Sequence, residues 1–194
     1  VHYPVANLKN PEKYRYYSGV GDTWISENDR KVYTKTKNVT AIWSQKNFGL
    51  TGHQLRHSTR AYIKENIPGI VDWNNPINKI DGLADYRYEI VVENEFPHWL
   101  TEKHLDCMLT GTIPIVWGSK WTKQWEGFDT SGMIFFQTPE ELYSILTSNM
   151  LGEEHYNSLY DSIIHNFHEC NKHLGYDNIL WHAGLYELDL LNND

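Results

Sequence analysis

Two short stretches concentrate side chains that could handle an anion. The first is Glu93 to Lys103, ENEFPHWLTEK. A strand-like run ends there on Glu93-Asn94, a loop follows, and a helix is expected to start near Thr101. A helix start leaves backbone N–H groups unpartnered and carries the positive end of the peptide dipole, so it suits an anion. Lys103 falls in that first turn, where its charge opposes the dipole unless an anion is present. Glu102 can cap the helix or accept hydrogen bonds from sugar hydroxyls, and Trp99 offers an indole face with one N–H donor. A structural alternative stands level with this one: Thr101 and Glu102 simply cap the helix, and Lys103 is solvated.

The second stretch runs from Ser44 to His57 and ends GHQLRH. Gly49 and Gly52 loosen the turn, and Arg56 lies on the helix that follows. A guanidinium suits bidentate pairing with phosphate oxygens. A lone helix arginine is weak evidence by itself, and Arg60, one turn further along, competes for the role.

The elements that must position these residues alternate. Strands are expected at Val39–Trp43, Ile70–Trp73, Tyr86–Val92, Thr112–Trp117 and Met133–Phe136, all rich in β-branched and aromatic residues. Helices are expected between them, at about His53–Asn66 and Thr101–Thr110, with a brief one at Ile80–Asp85. Thr138-Pro139-Glu140-Glu141 opens another, with a capping threonine, proline at the first position and acids at the positive end. Helical stretches then occupy much of 153–191. Such alternation predicts an α/β fold, a Rossmann-like parallel sheet with flanking helices and a carboxyl-terminal helical segment. Residues 1–37 read as an irregular amino-terminal segment and 38–194 as the domain. In such a sheet, ligands bind beyond the carboxyl ends of the strands, where both anion-handling stretches fall.

The run Tyr86 to Asn94, then Trp99-Leu100-Thr101-Glu102-Lys103, then Thr112-Ile113-Pro114-Ile115-Val116-Trp117-Gly118 resembles the fucosyltransferase family of inverting glycosyltransferases. That family has a strand ending in EN, a YVTEK- or FTEK-like turn, a helix beginning near an aspartate, matched by Asp106, and TIPIYWG. Ser44 with GHQLRH looks like its upstream phosphate-binding loop, and Ile70-Val71-Asp72 like its VD strand. Weaker similarity runs from about residue 22 to about 185. The resemblance implies the donor-binding half of a GT-B glycosyltransferase, with GDP-fucose as donor and a glycan hydroxyl as acceptor. Arg56 and Lys103 would neutralise the diphosphate, and Glu102 would hold the ribose. Trp99 stands where the family has Tyr or Phe, which exchanges a phenol hydroxyl for an indole N–H. Glu93 and Asn94 line the same strand end. No metal is expected, since no DxD pair stands at a strand end; Glu187-Leu188-Asp189 falls in the terminal helix. The family's catalytic base belongs to an acceptor domain, so no base is assigned here. Glu27, Asp22 and Asp29 read as surface acids. Two further readings stay open: a GDP-sugar-binding domain without catalysis, and a transferase using another GDP-sugar.

Composition narrows the partners. A formal net charge of -8 argues against binding nucleic acid or anionic lipid through bulk charge. No apolar run matches a membrane span and no signal-peptide pattern opens the chain, so a cytoplasmic, bacterial or viral type of enzyme, at most membrane-peripheral, is expected. Because the first residue is Val, a truncated amino terminus is part of that expectation. Cys107 and Cys170 read as buried free thiols. Among eight Trp and thirteen Tyr, most are expected in the core. Trp117, Trp121 and Trp125 are spaced to form a sugar platform or to pack beneath a loop. His165 and His168 read as ordinary helical histidines rather than metal ligands.

Overall fold

The computed structural model describes residues 23–95, 100–120, 125, 127–172 and 174. Five strands form one parallel sheet: β1 (Lys37–Ile42), β2 (Asp72–Asn74), β3 (Tyr86–Val91), β4 (Ile113–Trp117) and β5 (Ile134–Phe136). Their spatial order is β2-β1-β3-β4-β5. The helices are α1 (Thr51–Asn66), α2 (Glu102–Met108), α3 (Pro139–Thr147), α4 (Glu153–Ser158) and α5 (Tyr160–Lys172), with a 3₁₀ turn at Lys79–Gly82. The alternation expected from the sequence is therefore present. Asp22, Glu187–Asp189 and the expected helix beyond residue 174 lie outside the described residues.

Helices cover both faces, which is why β3 and β4 are buried at every position, β4 as a continuous apolar run and β3 with Arg87 and Glu89 buried among its apolar residues. On one face Tyr88, Ile90, Ile113 and Ile115 pack with Ile63 of α1 and with Leu142 and Leu146 of α3. On the other, Val91 meets Cys107 and Ile80, and Val116 meets Leu105, Met108 and Leu109. Helix α1 follows from its spacing. Gly52, His53, Arg56, Thr59 and Ile63 recur at three- and four-residue intervals and form its buried stripe. Helix α3 starts as its sequence indicates: Thr138 accepts from Glu141 N at 3.2 Å, with Pro139 in the first turn.

Residues 23–36 are mostly irregular but tightly held. Ile25 is buried beside Val91, Leu83 and Cys107. Lys35 is buried at the amino edge of the sheet, where Nζ donates to the carbonyls of Leu83, Ala84 and Thr110 and to Thr112 Oγ1, at 2.8–3.1 Å. Asn38 lies in β1 and accepts from Arg87 Nη1 at 3.1 Å. Cys107 and Cys170 are both buried and unpaired. Trp117 and Trp125 are core residues, and Trp125 Nε1 donates to Ser119 O at 3.0 Å. That removes two of the three rings from the sugar-platform reading; Trp121 lies outside the described residues. His165 Nε2 meets Gly127 O at 2.8 Å. Among the described residues, no helix is long and apolar enough to cross a membrane.

Candidate functional site

The chain leaves β1 towards β2 on one side and returns across β1 to β3 on the other. The order of connection thus reverses between β1 and β3. At such a switch point the loops diverge and leave a crevice beyond the carboxyl ends of the strands. A cavity of about 310 Å³ opens there, at the lower end of the range for small-molecule sites. One wall is Ile42, Trp43 and Ser44, running out of β1, with Lys46, Phe48 and Leu50 from the next loop. The opposite wall is the end of β3, and Arg56, Asn94, Glu102 and Lys103 supply its polar groups.

Arg56 and Lys103, distant in sequence, thus border one space. Arg56 is buried, and its Nε donates to Val92 O at 3.0 Å. Nη2 donates to the same carbonyl and to Asn94 Oδ1, the latter at 2.9 Å. Burial pulls the guanidinium below its ordinary value, and the charges of Glu93 and Glu102 pull it back. It stays a cation. Lys103 Nζ is 2.9 Å from Glu102 Oε1 and 3.1 Å from Glu93 Oε2, with its side chain about a fifth exposed. Burial opposes ionisation of Glu102, but Lys103 outweighs it and holds that carboxyl below the usual range. Glu93 is buried and also accepts from Thr101 Oγ1. Of the residues the sequence singled out, Arg56, Asn94, Glu102 and Lys103 line the cavity, and Glu93 supports Lys103 from behind. Trp99 lies outside the described residues.

The start of α2 differs from the expected open anion site. Thr101 Oγ1 accepts from Lys103 N at 3.3 Å, and His104 Nδ1 accepts from Thr101 N at 3.2 Å. The cap is completed by His104, not Glu102. Burial lowers His104 to about 4, so it is neutral and able to accept that bond. The start of α1 is occupied too, because Gly52 N donates to Asn94 O at 2.9 Å. A β-carbon on Gly52 would stand 1.7 Å from Glu93 O, so only glycine permits this approach. The groups left facing the cavity to meet an anion are therefore side-chain cations rather than these helix-end N–H groups.

Arg60 is settled differently. Its guanidinium lies over the Trp73 ring, 5.1 Å from the centroid. Asp106, the family-matched aspartate, is fully buried. It binds Lys79 at 2.8 Å, Trp24 N at 2.9 Å and Thr23 Oγ1, tying residues 23–25 to α2.

Three polar residues of the site, Lys46, Glu89 and His53, were not singled out from the sequence. Glu89, in the middle of β3, is buried and borders the cavity, and its Oε2 accepts from Cys107 Sγ at 2.7 Å. Burial pushes its carboxyl up against the opposing charge of Lys79. His53 is buried between Phe48 and Asn94. Its spacing of three from Arg56 places both on one helix face, and that was the available signal. A second cavity, of about 430 Å³, lies at the other end of β1 beside Asn38, Asp72 and Asn149. Asp72 is the charged residue of its lining, so it offers an anion no cation. Among the described residues, no group of three or more His, Cys, Asp or Glu could hold a metal ion.

A search of curated proteins finds α-(1,3)-fucosyltransferase B of Drosophila melanogaster, 34% identical over 79 residues. The chain resembles the α1,3-fucosyltransferases. The match covers 39% of this chain and 18% of the relative, so the fucosyltransferase-like stretch spans under a fifth of that protein's length. Solved structures of α1,3-fucosyltransferase, one of them with GDP, superpose with a TM-score of 0.49, at 18% and 17% identity. Each superposition covers 86% of this chain and about half of the fucosyltransferase. No protein-family model matches the chain.

Proposed function

We propose that this chain forms the donor-binding half of an inverting fucosyltransferase, holding GDP-fucose in the crevice between β1 and β3 for transfer to a glycan hydroxyl. One observation carries the reading: two cations from separate elements, Arg56 and Lys103, border one crevice at the switch point of the sheet. In glycosyl transfer with inversion, the acceptor oxygen attacks the anomeric carbon as the diphosphate departs. Positive charge develops on the sugar ring and negative charge on the leaving oxygens. Fixed cations aimed at those oxygens lower the barrier, because they interact more strongly with the departing group than with the intact donor. Arg56 is held for this by Val92 O and Asn94, with its Nη1 hydrogens left for a ligand. Lys103 would exchange one carboxylate partner for a phosphate oxygen, which would free Glu102 to accept from the ribose hydroxyls. Two cations would supply the charge that a divalent metal supplies in other transferases.

Calorimetry tests the reading directly. GDP should bind the chain, and UDP should bind at least tenfold more weakly. A chain that binds neither would sink it.

A second reading is favoured by the carboxylates. Glu93 and Glu102 are tied to Lys103, and Glu89 is buried against Cys107. Among the described residues, the cavity thus supplies no carboxylate free to deprotonate an acceptor, which favours donor binding without transfer by this span alone. Release of fucose from GDP-fucose, to water or to any glycan, would exclude it.

A further inference from the structure

His53 occupies an unusual position for a residue with no part in the reaction so far. It is 3% exposed and sits in the first turn of α1, between the loop after β1 and the end of β3. Its Nδ1 lies 3.1 Å from Phe48 N, and its Nε2 lies 3.2 Å from Asn94 Oδ1. A backbone N–H can only donate, so Nδ1 carries no proton, and in the neutral ring Nε2 must carry it. His53 therefore donates to Asn94.

The orientation of the Asn94 amide follows from chemistry alone. The atom facing Arg56 Nη2 at 2.9 Å also faces His53 Nε2–H. Guanidinium has no acceptor, so this atom is the oxygen, and its two lone pairs are taken by two donors. The amino end of Asn94, on a residue that lines the cavity, is what remains for a ligand.

We propose that His53 is a positioning residue that locks the Asn94 side chain with its amino group turned into the crevice. Asn94 then acts as a hydrogen-bond donor to an acceptor oxygen of the bound nucleotide sugar. The inference rests on the donor-site reading above for the identity of the ligand, though not for the geometry. His53 also ties the loop at Phe48 to the same corner, so one ring fixes two walls. The site thereby favours ligands that bring oxygen lone pairs to the end of β3 and disfavours groups that would donate there.

Three variants separate this role from simple packing. In His53→Asn, the Asn oxygen can replace Nδ1 and keep the Phe48 contact, but the donor to Asn94 is lost. In His53→Gln, the amide nitrogen can replace Nε2 and keep the donor. Asn94→Asp keeps the acceptor for Arg56 and His53 but turns an oxygen towards the ligand. GDP titrations should show affinity reduced about tenfold in His53→Asn, the worth of one hydrogen bond to a charged group, and restored to within about threefold in His53→Gln. Asn94→Asp should bind at least thirtyfold more weakly with an unchanged melting temperature. Equal affinity for all three, with normal GDP binding by the parent, would overturn the inference while leaving the donor site intact. A ligand-free readout stands apart from GDP binding. The long-range ¹⁵N–¹H spectrum of His53 should show Nε2 protonated and Nδ1 bare, and the opposite tautomer would overturn the inference even if no nucleotide binds.

Discussion

Two buried or half-buried lysines stand at opposite ends of the same sheet and do opposite things. At the amino edge, Lys35 gives Nζ to three carbonyls and a hydroxyl, all within the protein. At the carboxyl edge, Lys103 is paired with two carboxylates beside an open cavity. Neutral oxygens around Lys35 occupy its donors and close the corner, and burial lowers its pKa to about 7, so this amine is a strut joining residue 35 to the turns before β3 and β4. Carboxylates around Lys103 keep its charge beside the cavity, where under the proposed function a phosphate oxygen would replace one of them. The partners of a lysine, rather than its residue type, separate scaffold from candidate site.

The comparison can be broken most sharply at Lys35. Lys35→Met leaves four oxygens without their donor, and unfolding by urea should show a loss of about 3–4 kcal/mol, with GDP affinity unchanged in the fraction that stays folded. Gly52→Ala comes next. The methyl group meets Glu93 O, so a loss of about 3 kcal/mol is expected together with weaker GDP binding, since the seam bearing Asn94 must shift. Lys103→Ala should reverse the Lys35 pattern, with GDP affinity down on the order of 10²-fold and a smaller loss of stability than in Lys35→Met, since the buried Glu93 keeps Thr101 Oγ1 as a partner. If Lys103→Ala unfolded the chain and spared binding, the contrast between the two edges would be lost.

The smallest effects concern pH, and two groups have opposite signs. Glu89 has a folded pKa raised by burial, so stability present below its unfolded value declines as pH rises from the ordinary glutamate range through the folded value. Glu89→Gln keeps an acceptor for Cys107 and should melt roughly 2–4 °C above the parent at pH 8, with the gap narrowing near pH 4. His104 has a folded pKa lowered to about 4, so stability present above about 6.5 is lost as pH falls towards 4. His104→Asn, which can keep the cap to Thr101 N, should flatten the melting-temperature curve in that window.

Much of the fold was legible because its cause is local or periodic. Strands β3 and β4 are covered on both faces, so β4 is apolar throughout, and in β3 only Arg87 and Glu89 depart from that pattern. Thr138-Pro139-Glu140-Glu141 announced α3 through capping chemistry that depends on no distant residue. Arg56, Asn94, Glu102 and Lys103 were found because they sit in motifs, and the sheet order then brings them together. What escaped were roles conferred by neighbours remote in the chain. Glu89 looked like one polar interruption in a strand, and its surroundings depend on Cys107 and Lys79. His104 replaced Glu102 as the cap partner because its ring reaches back to Thr101 N. Lys35 looked like one of several charges in an irregular stretch, and only the turns at Leu83 and Thr110 make it a strut.

The contact between Gly52 and the Glu93–Asn94 backbone bears on how a ligand gets in. With no slack for even one methyl group, the first turn of α1 and the exit of β3 travel as a single block. Whatever enters the crevice must therefore fit a spacing set in advance by backbone, with the loop at Phe48 pinned to the same block through His53.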